Sequence, residues 1–501
     1  MGKEIYFLIN SLDVGRGGLT KACIQQANMS AELGYKTTIL TFNYNSDYDI
    51  ITEKLFQYYS INRDVEIRNM YDFYRDEKNV EVDLMKVNDC ISSDFAYEKV
   101  KNKNGYRIYE NGLYRYYMTH RDDETVKGVD CFNDFRYRIR SEAYTPKGYL
   151  GKVSYMDFEL NKPRQMVFKD SKGNCYLSKW VNPETGNAHK VLLFNGNEIK
   201  KTFKSDEALK AYFIEKVVEN DEYPILISDA RNTDDVMTLV DDEKAKKLIR
   251  LHSNHVKEPF DVEKSEIVST VKFALNNLDK IDYLVALTER QKEDIVTRKN
   301  NDEKLLALPH GIEVKNSDAH NNFKKDKAVV ISRLVSLKQI HHVVEAASLL
   351  VEYNPNFLIE IYGSGDQEKK LKDLIKSKGL TESVILKGYT DNIENVYKEA
   401  VFSIVTSKTE GFSLSILESM ANGVPVLSYN FNYGPEDIIT NGKDGLIIEK
   451  NNIKQLAENM NYLFSNPELI NEMRINAAKS IKDRFSRDKV KQYWEELFKS
   501  L

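Results

Sequence analysis

Short apolar runs alternating with helical stretches recur along this chain, and that alternation constrains its fold more than any other feature. Residues 1–75 read EIYFLIN, then GLTKACIQQANMSAELG, then KTTILTF. The pattern returns after about residue 205 in PILISDA, KKLIRLHS, DYLVAL and KLLALPHG. From about residue 314 it continues through KAVVISRL, FLIEIYG, VILKGY, FSIVTS, PVLSYN and GLIIEK. Strands separated by helices predict parallel sheets with crossover helices. At 501 residues the chain is too long for one ordinary core, so more than one such domain is expected. Residues 76–204 differ, with Tyr, Phe, Arg and Lys between Asn-Gly and Lys-Gly turns, as in NKNGYRIYENGLYRYYM. Those are hairpin signals and predict an antiparallel β insertion. The expected architecture is therefore α/β, with two Rossmann-like domains. The N-terminal one takes 1–75 and 205–313, the β-rich insertion 76–204, and the C-terminal one 314–485. A terminal amphipathic helix, 486–501, offers Val490, Trp494, Leu497 and Phe498 for packing.

Charged residues make up 30% and hydrophobic ones 41%, which fits a soluble globular protein. A net charge of −5 argues against bulk nucleic-acid binding. The four cysteines, Cys23, Cys90, Cys131 and Cys175, form no CxxC pair and read as free thiols in a reducing cytoplasm. The opening MGKEIYFLINSL turns polar too soon for a signal peptide. No apolar run approaches the roughly 20 residues needed to span a bilayer, so any membrane association is expected to be peripheral, at the inner face.

The segment TSKTEGFSLSILESMANGVPVLSY sets Glu410 and Glu418 eight positions apart, the first just after a strand-like run and the second inside an apolar helical pattern. Eight helical residues rise roughly 12 Å, about the reach from a sugar across a diphosphate to a ribose. A helix N-terminus between them supplies N–H groups and partial positive charge for phosphates. The spacing suits a nucleotide sugar, although two solvated glutamates on a core helix are an equally good reading of that pair alone. After VVISRL, Arg333 and Lys338 suit a diphosphate whose charge grows as it leaves. Gly388 and Tyr389 follow VILKGY and offer backbone and ring to a base. Gly17 and Gly18 open a helix after the first strand, where backbone can approach a phosphate. His252 and His255, in RLHSNHVKEPF, suit a role beside a reacting sugar; nearby carboxylates lack metal-motif spacing. Asp47-Tyr48-Asp49 reads as a solvated loop or helix cap. There is no GxSxG elbow, P-loop, or kinase HRD or DFG.

Together, the two Rossmann-like halves, the GG loop, Arg and Lys five apart and Glu-x7-Glu resemble GT-B retaining glycosyltransferases of family 4. SLDVGRGGLT and the β-rich insertion are similar to the wall teichoic acid α-glycosyltransferases of the TarM/TagE type. The resemblance implies that Glu410 contacts the donor sugar, Glu418 the ribose, Arg333 and Lys338 the diphosphate, and Tyr389, with Gly388, the uracil. Gly17 and Gly18 would line the cleft near the phosphate. Gly411, Phe412, Ser413 and Leu414 would open the phosphate-facing helix. His252 matches the family's cleft histidine best, with His255 the alternative, and the terminal helix would cross back to the first domain. No metal and no cofactor are implied, because Arg333 and Lys338 stabilise the leaving diphosphate. Retention without a carboxylate nucleophile implies front-face substitution. The implied reaction moves glucose or N-acetylglucosamine from UDP-glucose or UDP-GlcNAc to a polyol-phosphate polymer, with UDP-glucose and poly(glycerol phosphate) favoured. The insertion implies a homo-oligomer, with a trimer favoured. A protein O-glycosyltransferase acting on a Ser-rich polypeptide and a catalytically inert polyanion- or nucleotide-binding scaffold are the competing readings. Within the insertion, Arg136, Arg138 and Arg140 alternate, so they are expected to share one strand face and to hold the acceptor polymer.

Overall fold

The computed structural model describes residues 3–14, 18–75, 84–90, 94–299, 303–314 and 324–501. The chain divides into two compact units, Met1–Lys247 and Leu248–Leu501.

In the first unit, four parallel strands lie in the order Pro224–Ser228, Glu4–Ile9, Lys36–Thr41, Val65–Asn69. The first three are almost all apolar or Thr and nearly all buried, as expected for strands of a parallel sheet covered on both faces, while the edge strand Val65–Asn69 carries Glu66 and Arg68 and is only partly buried. The antiparallel insertion expected from the Asn-Gly and Lys-Gly turns is a ten-stranded meander, running in chain order from Phe95–Lys99 to Glu198–Phe203. Asn111 and Gly112 join Gly105–Glu110 to Leu113–His120 with φ of 49° and 81°, the two positive values that a tight hairpin turn requires. The insertion shares a core with the parallel sheet: Phe168, Leu177, Val191 and Leu193 pack in one cluster with Leu8, Leu40, Phe42 and Phe213.

Two expectations about this unit change. Asp47 stands before the helix Tyr48–Tyr59 but makes no cap hydrogen bond. Its carboxylate instead takes Arg121 at 2.5 Å and Lys127 at 2.6 Å, because two cations outweigh one backbone N–H. Arg136 does not share a strand face with Arg138 and Arg140. It lies in the turn before Arg138–Tyr144 with a φ of 65°.

In the second unit, Leu248–Arg250 pairs in parallel with 283–285, and the strand Tyr283–Ala286 pairs with Leu305–Ala307. A separate six-stranded parallel sheet runs Val384–Gly388, Leu358–Tyr362, Lys327–Ile331, Phe402–Val405, Val426–Tyr429, Gly445–Ile448. Its core is one large cluster of Val, Ile, Leu, Ala, Phe and Met. The terminal helix Arg487–Ser500 buries Val490, Trp494, Leu497 and Phe498, as its period predicts. Ile312 donates its N–H to Phe485 O and accepts from Arg487 N, at 3.0 and 2.9 Å. Gly311 lies close against the terminal helix: a Cβ there would sit 3.0 Å from that of Val490, so a side chain would require Val490 to shift. Arg250 lies 5.7 Å over the Trp494 ring.

Trp494 is 1% exposed, so Trp494→Ala should cost about 3–5 kcal/mol of stability and lower the first thermal unfolding transition. A loss below about 1 kcal/mol in chemical denaturation would show that this ring does not anchor the helix.

Candidate functional site

The six-stranded sheet has one place where the chain reverses direction across it. From Lys327–Ile331 the chain moves outward to Leu358–Tyr362 and Val384–Gly388, then returns to lay Phe402–Val405 on the other side of the first strand. Loops leaving those two adjacent strands diverge, and ligands of open α/β sheets bind at the carboxyl ends beside such a point. The loops are 332–338 and 406–413. They carry Arg333, Lys338 and Glu410.

The first loop is held by its backbone. Ser332 N donates to Tyr362 O at 3.0 Å, Leu334 N to Ser364 O at 2.9 Å, and Gln367 N to Leu334 O at 2.9 Å. The partner loop reads Gly-Ser-Gly. A Cβ on Gly363 would meet Ser332 O at 1.8 Å, and one on Gly365 would meet Leu334 O at 2.2 Å. Neither position tolerates a side chain, so these glycines set where Arg333 emerges. Its side chain is exposed, and no carboxylate pairs with it among the described residues. Lys338 closes the short helical turn Ser336–Lys338. Its carbonyl accepts from Thr406 Oγ1 at 2.9 Å, and Lys408 N donates to Leu337 O at 2.8 Å. The two loops are thereby stitched together.

Across this seam the Lys338 ammonium pairs with the Glu410 carboxylate, both largely buried. Ser407 Oγ donates to the same carboxylate oxygen at 2.8 Å. Glu410 is also fixed through its backbone, its N–H donating to Asn432 O at 3.0 Å and its carbonyl accepting from Tyr433 N at 2.9 Å. Gly411 lies against the loop after Lys246–Arg250, where a Cβ would fall 2.4 Å from His252 O and 2.8 Å from Ser253 N. Beside it, Asn254 Nδ2 donates to Thr409 Oγ1 at 2.8 Å, and that hydroxyl donates to Asn432 O at 2.6 Å.

His252 is thus carried to the Glu410 loop. Its half-buried ring stacks on His310 with centroids 5.7 Å apart, and His310 meets Phe412 edge-on at 5.7 Å. His255 does not join them. It is 0% exposed, stacks on Tyr433, and places Nδ1 3.3 Å from the Tyr433 hydroxyl, which donates to Asp294 at 2.7 Å. Burial, with Arg298 nearby, lowers its pKa to about 4, so this imidazole is neutral and structural.

Ser413 precedes the helix Leu414–Ala421 with a φ of 67°. The first N–H groups of that helix have no intrahelical acceptor and carry partial positive charge. Glu418 lies further along the same helix, half-buried. Its charge, added to burial, pushes the Tyr397 phenol well above its usual range. Gly388 accepts from Gly363 N at 2.8 Å. Tyr389 is 72% exposed, not a buried strand-end ring. Gly17 lies outside the described residues, and Gly18 opens the helix Gly18–Glu32 of the first unit. In the insertion, Arg136 stacks 5.6 Å from Tyr114, Arg138 pairs with Asp130 at 3.1 Å, and Arg140 pairs with Glu142 at 3.0 Å. Sequence reading missed Gly363, Gly365, Asn254, Thr409 and His310. The available signals were GSG and PHG, each directly following a strand. Among the described residues no group of three His, Cys, Asp or Glu side chains could hold a metal ion, and no helix is long and apolar enough to cross a membrane.

Residues 313–480 match the family Glycosyl transferases group 1. The chain is 28% identical to the poly(ribitol-phosphate) alpha-N-acetylglucosaminyltransferase of Staphylococcus aureus, over 99% of this chain and 100% of that one. It is also 28% identical to the poly(glycerol-phosphate) alpha-glucosyltransferase of Bacillus subtilis, over 98% of this chain and 74% of that one. The crystal structure of TarM superposes with a TM-score of 0.86 at 27% identity, covering 99% of this chain and 98% of that one. Likeness to pneumococcal GtfA, at 17% identity and a TM-score of 0.76, is one of fold. With the Arg333, Lys338 and Glu410 loops at the reversal of its six-stranded sheet, the chain is a glycosyltransferase of the GT-B fold, similar along its length to the poly(ribitol-phosphate) and poly(glycerol-phosphate) alpha-glycosyltransferases, with residues 313–480 matching glycosyl transferases group 1.

Proposed function

We propose that the protein transfers glucose or N-acetylglucosamine from a UDP-sugar, with retention, to a hydroxyl of a polyol-phosphate polymer of the teichoic acid class. The observation that carries this reading is the Lys338–Glu410–Ser407 cluster beside exposed Arg333 at the sheet's reversal point. Arg333 and Lys338 would take the diphosphate, whose negative charge grows as the glycosidic bond breaks. The Leu414–Ala421 helix N-terminus would add its N–H groups, Glu418 would meet the ribose, and Gly388 and Tyr389 the uracil. Glu410 already accepts from Lys338 and Ser407, so its nucleophilicity is low and a role in holding sugar hydroxyls suits it better. Front-face substitution follows: the acceptor oxygen bonds to the anomeric carbon, the bond to the β-phosphate oxygen breaks, and that phosphate takes the acceptor's proton. His252, rather than buried His255, would stand at the sugar. The reading places the enzyme in the cytoplasm, where UDP-sugars are made, or at the inner face of the membrane.

The direct assay offers labelled UDP-glucose and UDP-GlcNAc with poly(glycerol phosphate), poly(ribitol phosphate) and a Ser-rich polypeptide. Label in a polyol-phosphate polymer is expected; label in the polypeptide alone would replace this acceptor with a protein. Arg333→Ala and Lys338→Ala should each cost about 3–4 kcal/mol in the transition state, a turnover loss of roughly 10²–10³-fold. Near-normal turnover in both would put the diphosphate elsewhere.

Self-association through the insertion, as a trimer, belongs to the same proposal. Phe135 is 81% exposed and Phe158 56%, with Tyr137 and Ile139 also exposed beside them, an apolar patch of the kind that marks interfaces. Light scattering of Phe135→Ser/Phe158→Ser should report a monomer where the unmodified protein is oligomeric. An unchanged oligomer would move the interface off this patch.

A further inference from the structure

A second cluster of cations and phenols lies wholly within the first unit, under the insertion. Tyr44 follows the strand Lys36–Thr41, and Tyr71, Tyr74 and Arg75 follow Val65–Asn69. All four stand at the carboxyl ends of parallel strands, where open α/β sheets take their ligands. The insertion strands Leu150–Asp157, Lys162–Lys169 and Cys175–Val181 cover them. Tyr44 packs edge-on to Tyr71 at 5.3 Å and tilted on Phe168 at 5.2 Å. Gly151 makes room for its hydroxyl, since a Cβ there would lie 2.4 Å from it.

The charges in this cluster do not balance. Lys179 pairs with Asp206 and donates to the Tyr71 hydroxyl at 2.7 Å, and Lys210 reaches Asp206 at 3.5 Å. Arg75 pairs with Asp72 at 2.9 Å, and Asp47 holds Arg121 and Lys127. Each carboxylate is already engaged. Lys152 is left with its ammonium 5.0 Å over the Tyr44 ring and no carboxylate partner among the described residues. Burial and the charge of Lys179 lower its pKa. The hydroxyls of Tyr44, Tyr74 and Tyr176 are buried without a hydrogen-bond partner. Tyr176 is only 6% exposed and lies within electrostatic reach of Tyr44 and Arg75.

A half-buried cation without a counter-ion and buried hydroxyls without acceptors are each costly. An anion with several acceptor oxygens satisfies both at once. We propose that Lys152, with the hydroxyls of Tyr44 and Tyr176, is a binding site for a phosphodiester of the acceptor polymer. The donor set fits a phosphodiester, whose single negative charge is shared by two free oxygens. The identity of the ligand rests on the acceptor reading above; the anion site itself rests only on this cluster.

The test compares the unmodified protein with Lys152→Met, which keeps the volume and removes the charge. Melting temperature is followed with UDP saturating, against poly(glycerol phosphate) and, separately, inorganic phosphate. The polymer should raise the melting temperature of the unmodified protein, and Lys152→Met should abolish that rise and increase the KM for polymer about tenfold. UDP affinity and the unliganded melting temperature report folding; the latter should rise in Lys152→Met, because an unpaired half-buried cation is gone. Should that variant fail to fold, Tyr176→Phe, which loses only the hydroxyl, is expected to raise the polymer KM in the same direction. An unchanged polymer KM in a folded variant would overturn the site and leave the cluster as a polar core. Lys152-dependent stabilisation by inorganic phosphate but not by polymer would overturn the phosphodiester assignment. If the unmodified protein glycosylates no polyol phosphate while phosphate still stabilises it through Lys152, the acceptor reading falls and the anion site stands.

Discussion

Everything at the candidate site depends on one close approach of two backbones. Gly411 lies so near the His252–Ser253 peptide that a Cβ would come within 2.4 Å of the carbonyl oxygen. Only glycine permits it. The approach is locked by polar groups: Asn254 reaches Thr409 at 2.8 Å, Thr409 reaches Asn432 O at 2.6 Å, and the Glu410 backbone bonds Asn432 and Tyr433 on both sides. Because these are buried groups with complete partners, shifting the loop would leave several of them unsatisfied at once. The position of the Glu410 carboxylate is therefore fixed by its own main chain before any ligand arrives. Preorganisation of this kind matters where charge must be met without rearrangement.

The electrostatics of the site follow from that rigidity. Lys338 and Glu410 neutralise each other across the two loops, a pair largely out of water that would be expensive to leave half made. Arg333 stands outside the pair on a loop that is equally stiff, with Ser332 and Leu334 held against Gly363 and Gly365. The two cations thus differ in kind. Arg333 is free of any carboxylate among the described residues, and in the proposed function it would meet the incoming diphosphate. In that function Lys338 would share itself between Glu410 and the diphosphate. An arriving diphosphate would weaken the hold of Lys338 on Glu410 and release acceptor capacity on that carboxylate. Phosphate binding and sugar-hydroxyl binding would then be linked through a single ammonium group.

How much of this the sequence shows depends on the range of the interaction. Strand–helix alternation, the hairpin turns and the apolar face of the terminal helix are local patterns, and all three are legible. So are the loops that carry Arg333, Lys338 and Glu410, because each loop directly follows a strand of a parallel sheet, and ligand loops lie there. What pairs with what is not local. Lys338 and Glu410 are 72 positions apart, and nothing near either one announces the other. The same limit separates His252 from His255. Both sit in one polar-looking segment, but Tyr433 and Asp294 arrive from elsewhere to bury His255. Gly363 and Gly365 were visible as residues, yet their purpose appears only when the Ser332–Leu334 backbone lies against them.

The insertion extends the argument to charge. By sequence its arginines and lysines look like a basic surface for a polyanion, and three arginines at alternate positions look like a single face. In the fold, Arg138 and Arg140 have found Asp130 and Glu142, and Arg136 has turned onto Tyr114. A cation paired with a neighbouring carboxylate has little net field to offer a polymer, and exposed pairs are further screened by salt. A cation that the fold leaves unpaired and half-shielded from water keeps more of its field. Counting basic residues along a chain therefore does not tell which of them the fold leaves unpaired. The relevant quantity is the charge left over once each carboxylate of a cluster has been assigned, and among the described residues around Tyr44 and Tyr71 that assignment leaves Lys152.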